Sequence, residues 1–293
     1  MTAVKQLERV VRPAPIGLRF RDVATGGVVG QGLRVTVTSM RNPARHATLD
    51  VNGKGVWYAR RFPGFSDDAL ANAPDWTLLR QPCLVEVDDP AGRFLPLRIV
   101  IDLPERGIVD WPGWGDLPQD LLLPLANDAS PPAISPDALP LFSSAGRTAP
   151  APLAEIRCQL LRDDGGPAAW ALLTASHGGE VRAIGQADAQ GRAVLFFPYP
   201  ERPRASLATS PPAITDFRWA IEVAAHWDGL DPAKPPEFAA LMAQLDHPRT
   251  LFASTLSPPE PLPSQLLSFG RGLVLRTDST PDGPSSCLVM AAS

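Results

Sequence analysis

Histidine, carboxylate and thiol side chains are where this chain would do acid–base, metal or nucleophilic chemistry, and they are scattered. His46, His177, His226 and His247 lie in four different segments. None has a second His at helical metal-ligand spacing, so each reads as an exposed or loop histidine. Cys83, Cys158 and Cys287 are an odd number without Cys-x-x-Cys spacing. That speaks against a disulfide framework and a thiolate zinc site, and each thiol reads as a small hydrophobe in a strand. There is no Gly-x-Ser-x-Gly elbow, no Gly-x-x-x-x-Gly-Lys phosphate loop and no Gly-x-Gly-x-x-Gly after a strand. The acidic pairs Asp67-Asp68, Asp88-Asp89 and Asp163-Asp164 offer the clustered oxygens calcium wants. Asp at a turn, however, bonds its own backbone two residues on, which explains all three without an ion. The expectation is no catalytic, cofactor-binding or metal site, and a chain that is not an enzyme.

Seven tryptophans raise a second possibility, stacking on sugars. Trp57, Trp170 and Trp219 fall inside predicted strands and read as core. Trp111 and Trp114, in Trp111-Pro112-Gly113-Trp114-Gly115, read as anchors of an irregular loop to a domain or a partner, with glycan stacking as the alternative.

The elements that carry these residues come from a cassette that occurs twice. The first copy runs Leu18-Arg19-Phe20-Arg21, a turn from Asp22 to Gly27, Leu33-Arg34-Val35-Thr36-Val37, and Asn52-Gly53-Lys54-Gly55 leading into Val56-Trp57-Tyr58 and on to Phe62-Pro63. The second runs Ile156-Arg157-Cys158-Gln159-Leu160-Leu161, the turn Asp163-Asp164-Gly165-Gly166, Trp170-Ala171-Leu172-Leu173, and Asp188-Ala189-Gln190-Gly191 leading into Arg192 to Phe197-Pro198. Repetition of this kind implies tandem modules. The unit reads as a β-hairpin followed by a turn-initiated strand. With 34 Pro and 23 Gly against 20% charged residues, turns dominate and long helices do not fit. The chain is therefore expected to be mainly β: two tandem Ig-like β-sandwich modules, a Pro-rich connector and one short helix in the second module. The boundaries are an N-terminal arm at 1–15, module one at 16–109, a connector at 110–153 and module two at 154–293.

Period-two alternation marks strands at Leu84-Val85-Glu86-Val87, Leu95 to Ile101 and Phe217 to Val223. Residues 64–81 read as a loop carrying a short helix. A helix is expected where Phe238, Leu241, Met242 and Leu245 form one stripe, with Pro235-Pro236 in its first turn and the stripe packed on module two. The connector holds Leu121-Leu122-Leu123 and Leu139-Pro140-Leu141-Phe142, too apolar to stay in water. Trp111, Trp114, Leu121, Leu122, Leu123, Leu139, Leu141 and Phe142 are thus the candidate interface, with a neighbouring subunit favoured over the chain's own modules.

A net charge of -4 gives no electrostatic reason to expect nucleic acid. No apolar run approaches the ~20 residues that span a bilayer, and Met1 to Pro13 lacks the apolar core of a signal peptide. Cytoplasmic synthesis without membrane insertion is expected.

The spacing of strand, Asp-x-x-x-Gly turn, strand and Asp-x-x-Gly turn is similar to carboxypeptidase-regulatory-like and transthyretin-like β-sandwich modules. Gly92-Arg93-Phe94-Leu95-Pro96, Ile184-Gly185-Gln186-Ala187-Asp188 through Phe197-Pro198-Tyr199-Pro200, and Phe269-Gly270-Arg271-Gly272-Leu273-Val274-Leu275-Arg276-Thr277 resemble proteins encoded with phage-tail-like contractile injection systems. The resemblance implies a structural or adaptor part of such a particle, at the baseplate or cap, joined to other particle subunits or to itself. It implies no active-site residues, and the assembled particle can leave the cell. A module that binds a glycan or a surface protein is the alternative.

Overall fold

The computed structural model describes residues 14–65, 70, 73, 75–109, 137–201, 216–280, 283–284 and 286–291. The described residues are mainly β, with a short helix in the second half. In the first half the strands are β1 (Gly17–Asp22), β2 (Arg34–Ser39), β3 (His46–Thr48), β4 (Asp50–Val51), β5 (Val56–Tyr58), β6 (Gln81–Asp88), β7 (Leu97–Leu103) and β8 (Leu139–Leu141). The second half adds β9 (Leu153–Arg162), β10 (Leu172–His177), β11 (Glu180–Gln186), β12 (Arg192–Pro198), β13 (Arg218–His226), α1 (Phe238–Ala243), β14 (Pro248–Arg249), β15 (Leu251–Ser254), β16 (Glu260–Pro261), β17 (Gln265–Ser268), β18 (Leu273–Val274), β19 (Asp278–Thr280), β20 (Gly283–Pro284) and β21 (Leu288–Met290).

In the first half two sheets, β4-β5-β1-β8 and β3-β2-β6-β7, face each other across one core. Val35, Val37, Val85, Val87 and Ile99 point into it from one sheet, and Leu18, Phe20, Trp57 and Leu139 from the other. Their neighbours along each strand turn outward, as a two-residue side-chain period requires. In the second half β12-β9-β21 and β11-β10-β13-β17 repeat that order. The registers repeat with it. Leu18 opposes Trp57 as Cys158 opposes Ala193, and Phe20 lies beside Leu139 in parallel as Leu160 lies beside Leu288. β18 runs parallel to the start of β9, so the position of β8 is filled by two strands.

Three expectations are corrected. β1 and β2 do not form a simple hairpin, and neither do β9 and β10, because each pair lies in different sheets. Only the turn itself doubles back, through the bridges Arg21 to Val28 and Leu161 to Pro167, before the chain crosses over. Trp170 precedes β10 rather than sitting in it, and its backbone is left-handed at φ 62°, rare for a bulky residue. Leu139, Leu141 and Phe142 join the core of the first sandwich. Pro140 is tolerated there because, among the described strands, β8 pairs only with β1, so its missing N–H is not needed. The first sandwich thus draws its last strand from beyond residue 109.

The helix is also differently placed. Pro235-Pro236 precede it rather than opening it, and Gln244–Asp246 continue it as a 3-10 turn. Phe238, Leu241 and Met242 are buried, with Leu245 beside them, but in the core cluster of the first sandwich. Arg98 of β7 bridges to Glu237 just ahead of the helix. Leu172 and Ile184, on the outer face of the second sandwich, join the same cluster, so the helix is a wedge between the two bodies. In 64–81 the described residues hold a 3-10 turn, Thr77–Leu79, pinned by buried Trp76.

Candidate functional site

The turns that sequence pattern singled out are stabilised by their own side chains. Asn52 Oδ1 accepts the amides of Lys54 and Val56 at 2.9 and 3.1 Å. Asp188 Oδ1 does the same for Gln190 and Arg192, both at 2.9 Å. In each case a glycine with positive φ, Gly55 or Gly191, closes the turn. Asp89 accepts amides from Ala91, Arg93 and Phe94; desolvation pulls its carboxyl up, but the Arg93 guanidinium and the Arg93 and Ala91 amides together hold it below the usual range. Asp164 accepts the amide of Gly166 at 2.9 Å. Asp67 and Asp68 lie outside the described residues.

The other chemistry-bearing groups are equally engaged. Cys83 and Cys158 are buried in β6 and β9, where desolvation raises their thiols to about 11 and about 12, so neither is a ready nucleophile. His46 and His247 are exposed. His226 departs from the expectation of a loop histidine. It stands in β13, its Nδ1 lies 3.0 Å from the Leu245 carbonyl oxygen, and desolvation lowers its pKa. Trp57, Trp76, Trp170, Trp219 and Trp227 are buried, each donating Nε1–H to a backbone carbonyl. None of these rings offers an open face to a sugar.

Of the candidate interface, Trp111, Trp114, Leu121, Leu122 and Leu123 lie outside the described residues. Leu139, Leu141 and Phe142 are 2%, 1% and 3% exposed within the chain's own core and present no surface to a neighbour. The built polar feature is one that sequence reading missed. Asp22, at the end of β1, takes a two-pronged ion pair from Arg147, with Nη1 to Oδ1 at 2.9 Å and Nη2 to Oδ2 at 2.6 Å. The side chains are 7% and 12% exposed. The carboxylate also accepts the Ala24 amide and the Thr25 hydroxyl. The guanidinium lies 4.9 Å from the Phe94 ring of the first sandwich and 5.9 Å from the Phe196 ring of the second. Arg157 of β9 donates to the Arg147 carbonyl at 2.7 Å.

This clamp closes the junction. Ala193, Leu195 and Phe197 of β12 face the second core, so Val194 and Phe196 face out, and there they meet Ala24 of the turn after β1, with Ala149 and Leu153 alongside. On the other flank Gln244, fully buried, donates Nε2–H to the Trp170 carbonyl at 2.9 Å and accepts the Asp228 amide at 3.2 Å. Arg147 has no local signal, since its partner is 125 residues away. Val194 and Phe196 were findable: aligning Asn52–Gly55 with Asp188–Gly191 places them beside Tyr58 and Arg60.

On the matching face of the first sandwich the described residue stretch that packs over β1 is Gly107–Ile108, against Gly17, and it leaves a cleft beside β5. Val56 and Tyr58 of β5 line this cleft of about 580 Å³ with Ala14, Gly17, Asn52 and Ile108. Lys54, between the lining residues Asn52 and Val56 in sequence, is exposed, as is Arg60, which reaches the hydroxyl of the lining residue Tyr58 at 3.5 Å.

Among the described residues no group of three His, Cys, Asp or Glu is placed to hold a metal ion, and no helix is long and apolar enough to cross a membrane. No family model, curated protein or solved structure matches the chain.

Proposed function

We propose that the chain is a non-enzymatic structural or adaptor component of a phage-tail-like contractile injection particle, made in the cytoplasm and acting by packing against other subunits or copies of itself. The observation that carries this reading is the junction. A buried two-pronged ion pair between two aromatic rings and a helix wedged between the sandwiches hold them in one fixed relation. A subunit that positions its neighbours under load needs that stiffness. Two domains joined by a free linker move relative to each other by default. The repeated Asx-turn scaffold supports the same role, since its polar side chains are occupied in holding backbone. The assignment to an injection particle draws on the resemblance of Gly92–Pro96, Ile184–Pro200 and Phe269–Thr277 given above.

The test is to purify tail-like particles from cells that encode this chain and quantify their subunits by mass spectrometry, with a strain lacking the gene alongside. The chain is expected at fixed stoichiometry, and its loss should leave incomplete particles. Intact particles that never contain it would overturn the reading.

A further inference from the structure

We propose that the cleft on β5 is the docking site of a second copy of this chain, entered by that copy's Asp163–Gly166 turn, so that copies join head to tail. The inference rests on the packing role proposed above and names the surfaces that carry it.

The chain contains its own precedent. At the internal junction three parts meet: the turn after β1, the outward side chains of β12, and the segment that leads into β9. The repeat supplies all three parts again. Tyr58 opposes Gly17 in β1 as Val194 opposes Arg157 in β9, so the outward face of β5 is the counterpart of Val194 and Phe196. Ala14, ahead of β1, borders the cleft, and Ala149, ahead of β9, borders the junction. The third part, the turn after β9, is free in the same chain: Asp163, Asp164 and Gly165 are exposed. It folds back as the first turn does, through Arg162 N–H to Gly166 O at 2.8 Å and Gly165 N–H to Arg162 O at 2.9 Å. The turn of one copy and the cleft of the next are thus the two unused halves of an interface the chain already makes once.

Charge favours the pairing. Arg60 reaches the lining residue Tyr58 and exposed Lys54 sits in the turn between the lining residues Asn52 and Val56, with Asp50 close enough to influence Arg60. The turn carries Asp163 and Asp164, with Arg162 paired to Asp164 at 3.0 Å. The rim stays net positive and the turn net negative. Where Ala24 seats itself in the internal junction, the second turn offers carboxylates, so this contact is more polar than the internal one, reversible and salt-sensitive. Because it joins two different patches, each copy added head to tail still offers one turn and one cleft, and growth continues unless the series of copies closes into a ring.

Sedimentation velocity of the full chain over a wide concentration range tests this. The average mass is expected to rise past that of a dimer with concentration and to fall at high salt. Asp163→Lys with Asp164→Lys should stop growth, as should Lys54→Glu with Arg60→Glu, and mixing the two variants should restore association because each supplies the face the other now complements. Tyr58→Glu, inside the cleft, is an independent block. Each variant's melting temperature is compared with the parent's to confirm that it folds. A monomer at every concentration, growth indifferent to all three variants, or no rescue on mixing would overturn the proposal. A monomeric chain that is nonetheless present in purified particles would sink this contact and leave the packing role standing.

Discussion

The two sandwiches share strand order, register and turn chemistry, and differ in what lies on them. In the first, β6 returns to β7 through the tight turn closed by Asp89 and Gly92. In the second, the equivalent return from β13 to β17 is interrupted by α1 and by β14, β15 and β16. That insertion covers the outer face of β10, so both faces of Leu172–Ala175 are buried, whereas β2 keeps an ordinary alternation. The outer face of β12 is covered as well, while that of β5 lines a cleft among the described residues. Side chains that bond their own backbone reproduce the scaffold wherever they recur. Burial on its outside depends on segments that occur once.

The largest expected effect comes from breaking the contact that exists on one side of this comparison only. Arg147→Met leaves Asp22 buried without its partner, and removing one member of a buried pair is destabilising by about 3–5 kcal/mol. Asp22 keeps its bonds to Ala24 and Thr25, which places the expectation at the lower end. Combining Asp22→Asn with Arg147→Met should recover part of the loss. Urea unfolding followed by tryptophan fluorescence checks this. A loss below 1 kcal/mol for Arg147→Met would mean that the apolar contacts hold the junction without the clamp.

Much of the scaffold was legible because it is local. Asn52, Asp89, Asp164 and Asp188 each act within a few residues of themselves, and alternation in β2, β6 and β7 marks their inner faces. Crossing from β1 to β2 between sheets was not legible, since a turn that doubles back and then crosses has the same residues as a hairpin. The apolar stripe of α1 announced that it would be buried but not by what. Leu139-Pro140-Leu141 read as a connector because proline argues against a central strand, and an edge strand escapes that rule. The Arg147 clamp depends on tertiary folding alone. The β5 cleft was accessible in principle, by superposing the two copies strand by strand.

The turn glycines sharpen the comparison at intermediate size. Gly55 and Gly191 have φ of 73° and 76°, so Ala at either position meets a left-handed backbone penalty of about 1–2 kcal/mol. Beyond that they differ. A Cβ at Gly55 lies 2.7 Å from Val28 Cγ1, a side chain exposed enough to move, whereas at Gly191 it runs into the backbone carbonyl oxygen of Leu160. Gly191→Ala is therefore expected to destabilise clearly more than Gly55→Ala in thermal unfolding. Equal losses would show that backbone conformation alone sets the requirement and that the closer packing of the second turn has no energetic weight.

The smallest effect concerns pH and one matched position. The first residue pair of the β2–β6 ladder is Arg34 with Asp88, and that of β10–β13 is Leu172 with His226. In the first sandwich the pair is solvated, its charges 3.9 Å apart. In the second it lies beside the insertion, and desolvation lowers the His226 pKa from its ordinary 6.5, only partly opposed by the bond to Leu245. The unfolded chain then binds the proton more readily than the folded one. Stability contributed by neutral His226 is fully present above pH 6.5 and is lost as pH falls from there through the folded value. His226→Leu should remove that part of the slope between pH 7 and pH 5, with the exposed Asp228–His247 pair common to both proteins and cancelling in the difference. Asp88→Asn, at the matched solvated position, should change stability by well under 1 kcal/mol at neutral pH. If the parent and His226→Leu lose stability in parallel on acidification, the insertion does not desolvate the imidazole, and the matched positions differ in sequence but not in environment.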